Sequence, residues 1–170
     1  MLLRNASLKD IDDILALQHI AYPEYLHESA ATFASRIEHS PDHCWVIEDD
    51  ACIVAYLLAI VDSTPNLPSL GELVSKPQSS NGPMVLFLHD MVVSPDYRGR
   101  GISTQLLDNE VNIATQMGIL DAYLVAVHGA DKLWERYGFR PLVGNAPAFN
   151  LSSYGPTAVL MHMQFTPQIL

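Results

Sequence analysis

The feature that most constrains this chain is the stretch from residue 84 to residue 118. Met84–Val93 is an almost unbroken apolar run, Ser94-Pro95-Asp96 turns it, Arg98-Gly99-Arg100-Gly101-Ile102-Ser103 follows, and a helical pattern over about 101–117 stops at Gly118. A strand that passes through a glycine loop into a helix is a ready site for an anion. The glycines let backbone N–H groups approach it, and the helix amino terminus adds partial positive charge. In chemical terms the segment is a pyrophosphate cradle. No Gly-Lys-Ser/Thr follows, which sets aside a Walker loop, and Gly99 and Gly101 lack the third glycine of a dinucleotide fingerprint. Glycines also serve ordinary strand-to-helix turns, so the rest of the chain has to decide.

Upstream, Ser7 and Asp10 resemble a capping box, and Ile11, Ile14, Leu15, Leu17 and Ile20 recur at helical spacing, which predicts a helix over 8–21. A second helix is expected over 28–39, with Ala30, Phe33 and Ile37 on its apolar face. Residues 44–48 and 52–61 read as a hairpin turned at Asp49-Asp50-Ala51. Residues 62–83 hold four prolines, five serines, two glycines and two asparagines, so they read as a long surface loop. Downstream, a strand is expected over 122–127, a short helix over 130–137, a turn at Gly138-Phe139 and a closing strand over 158–165. The 170 residues, 49% hydrophobic with mean hydropathy +0.13, suit one domain with a sizeable core spanning 1–170.

The apolar run 51–61 is too short to span a bilayer, and the amino terminus lacks a secretory signal. A cytoplasmic protein without a membrane role is expected. Cys44 and Cys52, the only cysteines, are expected to be buried reduced thiols, and the seven scattered histidines make no His-x-x-x-His, so no metal centre is expected. Charge is unevenly placed: residues 1–97 hold 14 acids against 4 Lys/Arg, whereas 98–170 hold 5 of each. A net charge of −10 repels phosphodiester backbones and excludes nucleic acid as a partner, while a cationic small molecule is easily accepted.

From Arg98 to Ser103 the chain resembles the GNAT acyltransferases, whose phosphate motif is Arg/Gln-x-x-Gly-x-Gly/Ala at this junction. The likeness extends to Val92-Val93-Ser94-Pro95, to Leu106-Leu107, and to Leu133-Trp134-Glu135-Arg136-Tyr137-Gly138-Phe139-Arg140, which is similar to the family's second cofactor motif. The resemblance implies an α/β fold, a single GNAT-type domain with a mixed, mostly antiparallel central sheet of six to seven strands and about four helices. It implies acetyl-CoA as acyl donor, held by Met91, Val92, Val93, Arg98, Gly99, Arg100, Gly101, Ile102, Ser103, Thr104 and Trp134, and a homodimer through the outer strands. Ser103 departs from the family's Gly or Ala but is small enough for close approach.

His89-Asp90-Met91-Val92-Val93 with Trp134-Glu135-Arg136 is similar to the arylalkylamine and polyamine acetyltransferase branch, and there His89 takes the place of the histidine that helps deprotonate the amine. Asp90 either acts in its stead or orients neighbours. Period-two alternation sends it to the opposite strand face unless a bulge intervenes. The family often places a tyrosine acid where this chain has Trp134, whose indole N–H donates a hydrogen bond but no acidic proton, so Tyr137 on a neighbouring helix face is the candidate substitute. The implied reaction is direct acetyl transfer to a small-molecule amine. A non-catalytic acyl-CoA sensor and a protein or peptide amine acetyltransferase are the alternatives.

Overall fold

The computed structural model describes residues 1–63, 68–75, 83–143 and 151–165. Seven strands form one sheet: β1 (Leu2–Asn5), β2 (Cys44–Asp49), β3 (Cys52–Ser63), β4 (Met84–Val93), β5 (Asp121–Ala126), β6 (Arg140–Pro141) and β7 (Val159–Gln164). They lie in the order β1-β2-β3-β4-β5-β7-β6, antiparallel except for β4 and β5. The helices are α1 (Ile11–Ala21), α2 (Ala30–His39), α3 (Ile102–Gln116) and α4 (Asp131–Arg136). The parallel pair is the one that needs a crossover, and α3 provides it.

Two apolar layers sandwich the sheet. Ile14 and Leu17 of α1 and Phe33 and Ile37 of α2 pack on Val46, Tyr56, Leu58 and Val92. On the other face Ile102, Leu106, Leu107 and Ala114 of α3 meet Leu57, Ala59, Leu86 and Leu88, with Trp134 and Tyr137 against them. The capping box opens the α1 region as expected, Ser7 N–H donating to Asp10 Oδ2 at 2.7 Å. The expected apolar faces hold with two exceptions. Ile20 is 62% exposed and Gln18 takes the buried position, because its amide clamps the chain just before α2. Ala30 is exposed on the first turn of α2.

Other expectations need correction. A strand, β1, precedes both helices; it is a short edge strand whose register with β2 is set by residues more than forty positions away. β6, two residues against β7, replaces a plain turn after Gly138-Phe139. Cys44 is buried but Cys52, at the hairpin turn, is exposed. Asp62 and Ser63 belong to β3 and are buried, so the long connection begins after them. Of that connection, 68–75 carry neither helix nor strand, and 64–67 and 76–82 lie outside the described residues. The hairpin turn at Asp50 and Ala51 has positive φ at both residues, the handedness that matches strand twist in a two-residue connection.

One irregularity positions the site. Leu58 pairs with Asp90 and Ala59 with Leu88, so His89 is an extra residue in β4 without a partner in β3. This bulge resets the alternation. Leu58 packs towards α1 and α2, and its partner Asp90 therefore shares with His89 the face that α1 and α2 cover. Just there β4 also leaves β5: their paired residues end at Leu88 and Leu124, and beyond them the strands part.

Candidate active site

The loop after β4 turns through Gly99 and Gly101, both at φ 76°, a region an L side chain enters only with strain. A Cβ at either glycine would meet nothing within 4 Å, so the loop needs glycine for its backbone and leaves open space above it. Gly101 is the N-cap of α3 and offers no side chain to cap it, which leaves the N–H groups of the first turn facing outward. In front of them lies a cleft of about 610 Å³ lined by Met91, Val92, Val93, Arg98, Gly99, Gly101, Ile102, Ser103, Thr104, Leu133, Ala21, Tyr22 and Tyr97. An open, donor-lined helix terminus between Arg98 and the end of β4 fits a pyrophosphate with an extended arm along the strand. Arg100 does not line this cleft. Its guanidinium stacks 4.7 Å over the Tyr97 ring and donates to Asp96 O.

Where β4 and β5 part, a second cavity of about 340 Å³ opens. Its walls include Leu26, Leu70, Leu88, Leu124, Val125, Val127 and Trp134, and its polar residues include Tyr22, Glu28, His89, Asp90 and Tyr154. Ala21, Tyr22 and Met91 line both spaces, so cleft and cavity meet there. On the solvent side Tyr25 Oη and His128 Nε2 lie 3.0 Å apart, linking the turn after α1 to the turn after β5. Segment 68–75 is fastened over the cavity at three points: Gly71 N–H donates to Glu28 Oε2 at 2.5 Å, Leu70 N–H to Ser153 Oγ at 3.1 Å, and Tyr154 Oη–H to Pro68 O at 3.2 Å.

The cavity floor is a buried network of charges. His89 Nε2 lies 2.5 Å from Glu28 Oε1, and Arg36 Nη2 donates to Glu28 Oε2 at 2.9 Å. The three side chains are 1%, 2% and 0% exposed, and His89 Nδ1 has no hydrogen-bond partner among the described residues. Burial pushes the His89 imidazolium below the usual histidine range, and Arg36 adds to this while Glu28 opposes it. Burial alone would raise the Glu28 carboxyl, but His89, Arg36 and the Gly71 N–H outweigh it and hold it below its ordinary value. Asp90 accepts from Tyr22 Oη–H at 2.7 Å and Tyr56 Oη–H at 2.5 Å. Its burial still leaves the carboxyl above the usual range, since the two phenols offset only part of the lost hydration. Burial and the Asp90 charge keep the Tyr22 phenol protonated far past neutral pH.

Of the residues read from sequence, His89, Asp90, Met91 and Trp134 come together at the cavity, and the loop residues other than Arg100 come together at the cleft. Tyr137 is elsewhere. Its hydroxyl is 2.7 Å from Ser103 Oγ, and it lines a groove between α3 and β7. Glu28, Arg36 and Tyr56 were not legible as site residues. Their signal is faint: a Glu just before a helix and an Arg on that helix's buried face.

A helix terminus suited to an anion, meeting a partly open pocket with largely apolar walls and a titratable floor, suits group transfer from a phosphorylated donor. Residues 8–139 match the family described as acetyltransferase (GNAT) family, and the chain belongs to it. Its acyl donor is accordingly acetyl-CoA. No curated protein sequence matches the chain. Among solved structures it is similar to the GphF GNAT-like decarboxylase in complex with isobutyryl-CoA (20% identity, 96% of this chain and 99% of that one, TM-score 0.73). It is similar also to Arabidopsis thaliana Naa50 in complex with the bisubstrate analogue CoA-Ac-MVNAL (14%, 96% and 98%, TM-score 0.70). A third is the ribosomal-protein-S18-alanine N-acetyltransferase from Escherichia coli (15%, 99% and 96%, TM-score 0.64). At such identities the likeness speaks for the fold.

Proposed function

We propose that this protein acetylates the primary amine of a small molecule with an apolar body. The observation that carries the reading is the cavity of about 340 Å³ that shares Tyr22 and Met91 with the donor cleft and has His89 on its floor. Its walls are aliphatic and aromatic, and its described carboxylates are already engaged, Glu28 by Arg36 and His89, Asp90 by two tyrosines. A second ammonium, as in a polyamine, would lose its hydration in the apolar part without a partner. Within the arylalkylamine or polyamine alternatives, the chemistry therefore favours the arylalkylamine side.

When bound, acetyl-CoA supplies an activated acetyl thioester. The outward N–H groups of the first turn of α3, with Arg98, hold the pyrophosphate end. Backbone N–H groups of β4 near Met91–Val93, past the point where β5 departs, donate to the carbonyl oxygen. His89 takes the proton that keeps an amine from acting as a nucleophile. The Trp134 indole N–H, on the cavity wall, is the donor on hand for the leaving sulfur, since the single Tyr22 hydroxyl proton is committed to Asp90 and the Tyr137 hydroxyl is paired with Ser103. Cys44 has no role in this scheme, and its thiol is pushed by burial up to about 12. The proposal includes a cytoplasmic setting. It also includes the homodimer implied by the family resemblance, with β1 as the available edge, since Pro141 blunts β6. Among the described residues no helix is long and apolar enough to cross a membrane.

The test is thiol release from acetyl-CoA, with a hydrolysis blank, across arylalkylamines, polyamines, aminoglycosides and short peptides. Release with arylalkylamines is expected, and His89→Gln should lower kcat about 100-fold at neutral pH with the acetyl-CoA KM unchanged. Preference for peptides would replace the reading with a protein acetyltransferase, and tight acetyl-CoA binding without turnover across the panel would replace it with a sensor.

A further inference from the structure

His89 is enclosed by titratable groups from several elements: Glu28 from the chain before α2, Arg36 from α2, Asp90 beside it on β4, and the neutral phenols of Tyr22 from the end of α1, Tyr56 from β3 and Tyr154 from the segment before β7. Among the described residues only Glu28 bonds to its ring. Arg36 is wholly buried and always charged, and among the described residues its one carboxylate contact is Glu28, so protonating Glu28 would strand a buried cation. Glu28 therefore stays ionised, and an ionised carboxylate only accepts hydrogen bonds. The proton in the 2.5 Å contact belongs to His89 Nε2. A second cation on His89 would share a counter-charge that Arg36 already uses, while the nearest other carboxylate, Asp90, is capped by two phenols. That leaves a neutral ring whose Nδ1 lone pair meets no donor among the described residues, although the atom is buried and His89 is one of the residues that line the cavity.

We infer that Arg36 and Glu28 are positioning residues: in series they fix His89 as a neutral imidazole protonated on Nε2, with Nδ1 kept free to take the proton of the acceptor amine. The inference rests on the acetyltransferase reading for the identity of the acceptor but not for the state of the ring. The step balances: the ammonium gives one proton to Nδ1 and becomes the free amine, its nitrogen forms the C–N bond and releases a second proton to solvent, the C–S bond breaks with its electron pair on sulfur, and the proton on Nδ1 passes through solvent to that sulfur. The same Glu28 Oε2 also accepts from Gly71, so segment 68–75 is fastened to the carboxylate that orients the base.

Nitrogen-15 NMR of the histidine side chains in the full-length protein reads the ring directly. At pH 7 His89 is expected with a protonated Nε2 and a bare Nδ1, titrating below the ordinary histidine value of about 6.5. Kinetics supply a second readout that a merely structural role would not move. Glu28→Gln removes a charge that raises the ring's pKa, so the acid limb of the kcat/KM profile should shift to lower pH while kcat falls about 100-fold. Arg36→Met removes a charge that lowers it, so the limb should shift to higher pH. The acetyl-CoA KM should hold in both. A proton on Nδ1, an imidazolium at pH 7, or limbs that move in the same direction would overturn the inference. If either variant fails to fold, the wild-type spectrum decides. If no amine is acetylated yet the spectrum is as expected, the arrangement stands and the functional reading fails.

Discussion

Asp10 accepts from Arg4 Nη1 and Nη2 at 2.9 and 2.7 Å and from Ser7 N–H, and these partners, the Arg4 bonds foremost, bring its carboxyl down from 3.8 to about 2. Because the folded value lies below the unfolded one, its contribution is fully present above about pH 4 and is lost as pH falls through about 2. Asp10→Asn should cost about 1–2 kcal/mol at pH 7, read by denaturant unfolding, with the difference from wild type closing between pH 4 and pH 2. Asp10 was legible as a helix-start residue because capping depends on spacing three positions apart. Glu28 and Arg36 were not legible, because their meaning depends on His89, sixty-one and fifty-three positions further along. A contact at that separation is a product of the sheet.

At the scale of elements, α4 and the residue that caps its C-terminus do two jobs. Trp134 contributes to the cavity wall, and Tyr137 reaches across to Ser103 on the first turn of α3 and steadies the loop there. Tyr137→Phe should therefore raise the acetyl-CoA KM by about threefold and leave kcat near wild type, since it removes one hydroxyl contact to a residue of the donor cleft and Tyr137 does not line the acceptor cavity. Tyr22→Phe should do the reverse, lowering kcat about tenfold through loss of a donor to Asp90 at the meeting of cleft and cavity. Steady-state kinetics on both variants separates the two roles. The strand–loop–helix unit was readable in sequence because its glycines, turn residues and periodicity are all local. The bulge was readable only as a condition for His89 and Asp90 to share a face, and β1 and β6 escaped because short edge strands carry little pattern of their own.

Across the whole molecule, the acidic half supplies α1, α2, β3 and β4 and with them most of the acceptor cavity, whereas Arg98 and Arg100 open the charge-balanced half at the phosphate loop. In the proposed function this division of charge would draw an ammonium substrate to one end and a polyanionic donor to the other. Raising ionic strength from about 20 to about 300 mM should lower kcat/KM for a cationic amine by about threefold, and an unchanged value would assign the acids to solubility alone. His89, the unpaired residue of β4, has one more implication. Remove that one codon and Leu88 and Asp90 become neighbours in plain alternation, still opposite Ala59 and Leu58, with Met91, Val92 and Val93 still opposite Leu57, Tyr56 and Ala55. The strand pairing and the donor cleft would keep their register through such a deletion while the proposed base vanished. A catalyst and a silent acyl-CoA receptor can thus be separated by three nucleotides.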